Sequence, residues 1–185
     1  MPALGLNPPP LPGTHDIPRP SDLEAEVRDL AARRDINDAL CRYMRGQDRL
    51  DADLHRSAFH PGAFVDCGLM QGTAEEFVDF AQGFLAQLEA SQHIIGQAQL
   101  DVRGDEASGE VYFYAWHRLI ENGESKDLIV GGRDVDEYAC RNGEWRILKR
   151  REIIDWARTD PAADGFLADH PEIPRGARRG ADFSQ

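Results

Sequence analysis

From residue 21 onward the spacing of apolar positions divides the chain into a helical part followed by a strand-forming part. Leu23, Val27, Leu30, Ile36, Leu40 and Tyr43 recur near helical spacing, with Ser21 placed to cap the segment and Glu24 three residues further on, as in a capping box. This predicts a long first helix ending around Gly46. A shorter helical piece is expected near residues 53–59. The turn signal Pro61-Gly62 comes next, and residues 63–70 (AFVDCGLM) then read as a strand. Thr73 caps a second clear helix (TAEEFVDFAQGFLAQLEA), in which Phe77, Phe80, Phe84 and Leu88 form an apolar stripe.

Past residue 90 the period changes to two. SQHIIGQAQLDV, ASGEVYFYAWHRLI, KDLIVGGRDVDEYAC and EWRILKRREIIDW are four long candidate strands. The turns Arg103-Gly104-Asp105, Glu121-Asn122-Gly123 and Arg141-Asn142-Gly143 separate them, and Asn-Gly is the strongest short hairpin signal. Gly131-Gly132, inside the third of these strands, predicts a bulge or a close backbone approach. Helices first and hairpin-linked antiparallel strands afterwards make an α+β domain. Strands this long must twist and curl, so helices across the concave face enclose a pocket.

Composition narrows the class. Seven of the 11 prolines lie at positions 2, 8–10, 12, 18 and 20, which marks residues 1–20 as an extended arm. Residues 21–158 form the domain, and residues 159–185, mixing Pro, Gly and charges, form an irregular tail. With 21 Lys+Arg against 33 Asp+Glu the formal charge is -12, which repels nucleic acid and anionic membranes. No apolar run reaches the length of a spanning helix and no secretory pattern opens the chain, so a cytoplasmic protein is expected. Cys41, Cys67 and Cys140 lack any metal or redox spacing and are read as buried, reduced thiols.

The segment RRDINDALCRYMRGQDRLDADLHRSAFHPGAFVDCG resembles the opening of SnoaL-like proteins of the nuclear transport factor 2-like superfamily, as do SQHIIGQ, GGRDVDEYACRNGEWRILKRR and the closing IIDW. The resemblance spans about residues 22–156. It implies a cone-shaped α+β barrel, a curved antiparallel or mixed sheet with N-terminal helices over its concave face. Within the superfamily the chain looks most like the branch of scytalone dehydratase, bile-acid 7α-dehydratase and hexachlorocyclohexane dehydrochlorinase, which eliminate a small leaving group without cofactor or metal. The branch's catalytic pair matches Asp48 in GQDRLD and His93 in SQHIIG. Its aromatic hydroxyl matches Tyr43, and its late cation matches Arg150 in WRILKRR. Where many relatives have an aromatic residue after Gly-Gly-Arg, this chain has Asp134, a carboxylate that either enters the pocket or points away.

The chemistry suits the same pair. Taking a proton from carbon beside a leaving group needs a base that works near neutral pH, as imidazole does. A carboxylate on the other ring nitrogen fixes the tautomer and stabilises the imidazolium as it forms. Tyr43 or Arg150 could meet negative charge developing on an oxygen or halide.

Each residue also has a plain structural reading. Asp48 could hydrogen-bond the loop after the helix, His93 could sit on a solvated strand face with Ile95, Gln97 and Gln99, and Tyr43 fits the helix's core stripe. Arg150, alternating with Arg146, Leu148 and Glu152, could make an ordinary ion pair. On a straight helix Tyr43 and Asp48 are about 140° apart at about 100° per residue, so facing one cavity requires a break near Gly46. Neither His55, His60 and Asp66 nor His117 has metal-ligand spacing. The sequence therefore predicts a cofactor-free lyase for a small cyclic or polyketide-like molecule. The alternatives are a cyclase or isomerase in the same pocket, or a non-catalytic small subunit of a ring-hydroxylating dioxygenase. A homo-oligomer, dimer or trimer, is expected, because the sheet's outer face is aromatic by either register.

Overall fold

The computed structural model describes residues 22–163 and 165–184, so the proline-rich arm and Ser21 lie outside the described residues. Helix α1 (Leu23–Arg49) is capped by Asp22, whose side chain accepts from the Ala25 amide. It runs unbroken through Gly46, contrary to the expected end there. The reason is contact: a Cβ at Gly46 would come within 2.5 Å of the His55 backbone nitrogen, so glycine lets the next helix cross close by. Leu50, in the left-handed conformation, ends α1, and Asp51 immediately caps α2 (Ala52–Ser57). Gly46→Ala is expected to destabilise the fold by about 1–3 kcal/mol although alanine is the better helix former, because overpacking outweighs propensity. Thermal denaturation against wild type measures it, and an unchanged or raised midpoint would contradict the contact.

Strands β1 (Phe59–Asp66) and β2 (Gln71–Thr73) lead into α3 (Ala74–Leu85), opened by a full capping box between Thr73 and Glu76. The four long strands follow as β3 (Ala90–Arg103), β4 (Glu106–Glu121), β5 (Glu124–Arg141) and β6 (Glu144–Pro161). Asn122-Gly123 and Asn142-Gly143 have positive φ at both residues, the backbone that tight hairpins need. The last strand continues past residue 158, and a short helix α4 (Gly165–Asp169) follows it.

The sheet order is β2-β1-β6-β5-β4-β3, antiparallel except for the parallel pair β1 and β6. The sheet is curved and open, with β2 and β3 as edges, and the helices complete the cone. Ile36, Leu40 and Tyr43 of α1, Phe77 and Val78 of α3, and Val65, Val111, Tyr138 and Ile147 of the sheet make the shared core. Among the described residues no helix is long and apolar enough to cross a membrane. All three cysteines are free, but where burial was expected Cys41 is exposed and Cys67 and Cys140 are only half-buried.

Three extra residues break simple alternation. Ile95 pairs with Phe113 but Ala98 with Val111, so β3 carries one more residue than β4 there. On β6, Ile147 and Lys149 oppose the adjacent Tyr138 and Glu137, and Ile154 and Trp156 oppose Gly132 and Gly131. Each extra residue flips the facing of the strand beyond it. The predicted grouping of His93 and Ile95 with Gln97 and Gln99 therefore fails, since Leu100 is the buried one beyond the bulge. Arg150 likewise parts from Arg146 and Leu148 and joins Trp145 and Ile147 inside. The prediction for Gly131-Gly132 holds: a bulge lies there, and a Cβ on Gly132 would meet the Phe113 ring at 2.8 Å.

Candidate active site

Between the helices and the concave face lies a cavity of about 440 Å³, lined mainly by apolar side chains. Met44, Phe77, Phe80 and Phe84 come from the helices, and Phe113, Ala115, Leu128 and Val130 from the sheet. The chemically active lining is Tyr43, Gln47, Cys67, His93, His117, Asp134 and Glu152.

His93 is on the edge strand β3, and its backbone N–H, which has no further strand to pair with, donates to Asp48 Oδ2 at 2.9 Å. The His93 ring nitrogen Nδ1 lies 2.7 Å from Asp48 Oδ1, and the Ser91 hydroxyl donates to the same oxygen at 3.3 Å. Three donors thus hold a carboxylate at the negative end of α1, a place that by itself disfavours it. The tail adds a cation: Arg178 donates to Ser91 Oγ at 2.9 Å, to the Leu85 carbonyl at the end of α3 and to the Leu88 carbonyl just past it. With Nδ1 engaged by Asp48, Nε2 is the ring nitrogen left for a ligand. The His117 ring is 5.1 Å away, and burial, then the nearby His93, push its imidazole down to about 4. It is a neutral neighbour at neutral pH.

Beneath this cavity is a buried ionic cluster. Arg150 donates through Nε and one terminal nitrogen to Asp136 at 2.8 and 2.6 Å, its other terminal nitrogen is 3.0 Å from Asp134 Oδ2, and its guanidinium is 4.1 Å from the Tyr43 ring centroid. Tyr138 donates to Asp136 at 2.7 Å. Burial drives the Asp134 carboxyl well above the ordinary carboxylate range despite Arg150, and raises Glu152 in the same way. Burial also raises the Tyr43 hydroxyl, so it stays a proton donor.

A model of the SnoaL-like domain matches residues 28–151. The chain belongs to this SnoaL-like family. No curated protein sequence matches it. Among solved structures, hexachlorocyclohexane dehydrochlorinase LinA-type3 from Novosphingobium barchaimii is 18% identical, with a TM-score of 0.65 over 75% of this chain and 95% of that one. A putative scytalone dehydratase from Novosphingobium aromaticivorans is 17% identical, with a TM-score of 0.62 over 83% and 96%. A putative aromatic ring hydroxylase from the same organism is 18% identical, with a TM-score of 0.62 over 73% and 96%. At these identities they establish a shared fold, the nuclear transport factor 2-like cone.

In this SnoaL-like chain the four residues singled out from the sequence occupy three different places. His93 lines the cavity, and Asp48 stands behind it. The two face one site without the helix break expected near Gly46, because Asp48 acts on the ring from the side and need not enter the cavity. Tyr43 lines the cavity but is 2% exposed. Arg150, expected in the pocket, is not part of its lining; it is 1% exposed and held by two aspartates. Four polar lining residues escaped the sequence reading as site residues: His117, Glu152, Gln47 and Cys67. His117 was legible, since Phe113, Ala115 and His117 alternate along β4 and all face the cavity. Asp134, left open by the sequence, lines it too. Among the described residues no three His, Cys, Asp or Glu side chains are grouped to hold a metal ion.

Proposed function

We propose that this SnoaL-like protein is a cofactor-independent lyase that eliminates a small leaving group from a cyclic or polyketide-like molecule, with His93 as the base and Asp48 as its partner. The observation that carries this reading is the 2.7 Å contact of Asp48 with Nδ1 of a histidine that lines an apolar cavity. Proton transfer from carbon is favoured in such an apolar cavity, where a fixed carboxylate steadies the imidazolium. The dehydrochlorinase and dehydratase of the same fold support elimination as the reaction type. Tyr43 contributes a hydroxyl donor, and Arg150 acts from beneath by holding the Tyr43 ring and Asp134. The test uses β-hydroxycyclohexanone and β-chlorocyclohexanone, which lose water and hydrogen chloride respectively to give cyclohexenone, followed by its ultraviolet absorbance. Enzyme-dependent cyclohexenone formation supports elimination. Ring closure or isomerisation of related substrates without loss of water or halide would favour the cyclase or isomerase reading.

The second reading, a non-catalytic small subunit, is favoured by the ring-hydroxylase neighbour. Co-purification with an iron–sulfur large subunit, with no turnover by the chain alone, would carry it.

We further propose self-association through the outer face of the sheet. Tyr112, Tyr114, Ile94 and Trp156 are 38–49% exposed there, with the Tyr114 and Trp156 rings 6.2 Å apart. Such a cluster is costly to leave in water. Sedimentation velocity is expected to show a dimer or trimer that Tyr114→Glu with Trp156→Glu shifts toward monomer; a monomeric wild type at micromolar concentration would contradict this.

A further inference from the structure

Asp134 and Glu152 stand directly opposite each other on β5 and β6, and both line the cavity that His93 lines. Like charges in register on one sheet face repel. The cation nearest them, Arg150, already makes two hydrogen bonds to Asp136, which also accepts from Tyr138. One guanidinium therefore faces Asp136, Asp134 and Glu152 together, while Asp134, Asp136 and Arg150 are each 1% exposed. Charge balance at such burial leaves a proton on the carboxylates other than Asp136. Asp134 is the better holder. Its Oδ2 faces Arg150, whereas its Oδ1 is buried with no hydrogen-bond partner. A buried hydroxyl without an acceptor, in the wall of a cavity, points to an acceptor that arrives with a ligand.

We propose that Asp134 is the general acid of this site and gives its Oδ1 proton to a leaving hydroxyl. The inference rests on the lyase reading and sharpens it. His93 Nε2 takes the proton from carbon, the freed electron pair forms the carbon–carbon double bond, and the carbon–oxygen bond breaks. The departing oxygen takes the Asp134 proton and leaves as water. His93 is then imidazolium and Asp134 carboxylate, and after product release a proton passes from His93 to Asp134 through water. This defines the substrate class: the leaving group is a hydroxyl, since halide departs without needing a proton and would meet a carboxylic acid of no use to it.

Two measurements test this. Protein labelled with carbon-13 at the aspartate side-chain carboxyl is expected to show, at pH 7, one protonated carboxyl resonance that is absent from Asp134→Asn. A wild-type spectrum with every aspartate ionised overturns the proposal, whether or not the variant folds, and so does a protonated signal that survives Asp134→Asn. With the two cyclohexanone probes, Asp134→Asn is expected to slow loss of water at least about 100-fold, the scale of acid catalysis, and to leave loss of chloride within about threefold. If both probes slow alike while His93→Gln abolishes both, Asp134 is structural and only the acid assignment fails. If His93→Gln spares both, the lyase reading fails and the acid role with it.

Discussion

Replacing His93 by Gln is expected to lower turnover by about 10²–10⁴-fold or more, with the fold intact. Glutamine can keep the backbone N–H bond to Asp48 but cannot take a proton from carbon. Asp48→Asn is expected to be nearly as severe, because an amide offers one acceptor where the carboxylate serves the His93 backbone, the His93 ring and Ser91. It also cannot stabilise an imidazolium. Since the two residues act as one unit, the double variant should be scarcely worse than His93→Gln. Steady-state kinetics on the β-hydroxycyclohexanone probe, with circular dichroism to show that each variant folds, measures all three. Retention of most activity by His93→Gln, or two effects that multiply independently, places the base elsewhere.

Arg150→Met is expected to be strongly destabilising. The guanidinium is fully enclosed, and its loss leaves the buried Asp136 carboxylate without its cation. Removing one partner of a buried ion pair costs about 3–5 kcal/mol, a large part of a domain's total stability. The cost comes from the uncompensated Asp136 carboxylate, so adding Asp136→Asn to Arg150→Met is expected to restore most of it. Urea denaturation of the single and double variants decides. A loss below about 1 kcal/mol in the single variant would mean that Asp136 takes up a proton without strain.

How much of this protein its sequence determines depends on the range over which each signal acts. Local signals placed most of the elements but not their ends: Asp22 caps α1, β1 runs through Pro61-Gly62 where a turn was expected, and α3 stops at Leu85, short of Leu88. Thr73 with Glu76 starts α3, Asn122-Gly123 and Asn142-Gly143 turn the hairpins, and the change of period after residue 90 separates helices from strands. The family pattern was legible too, and it pointed at His93 and Asp48 although 45 residues separate them.

Tertiary structure decided which way side chains face. Gly131-Gly132 marked one bulge, but the extra residue on β3 and the one near Leu148 on β6 leave no mark in the alternation, because a bulge is a mismatch between two strands. They turn Arg150 inward and set Asp134 beside Glu152 in the cavity wall. Gly46 reads as a helix end in one dimension and is a helix crossing in three, since only the approach of His55 gives the missing side chain its purpose. The same holds for Arg178, whose tail shows no regular pattern yet reaches Ser91 beside the Asp48 carboxylate. Periodicity and turn chemistry are properties of neighbouring residues, so the sequence carries them; charge balance, burial and strand register arise between distant segments, so only the folded chain does.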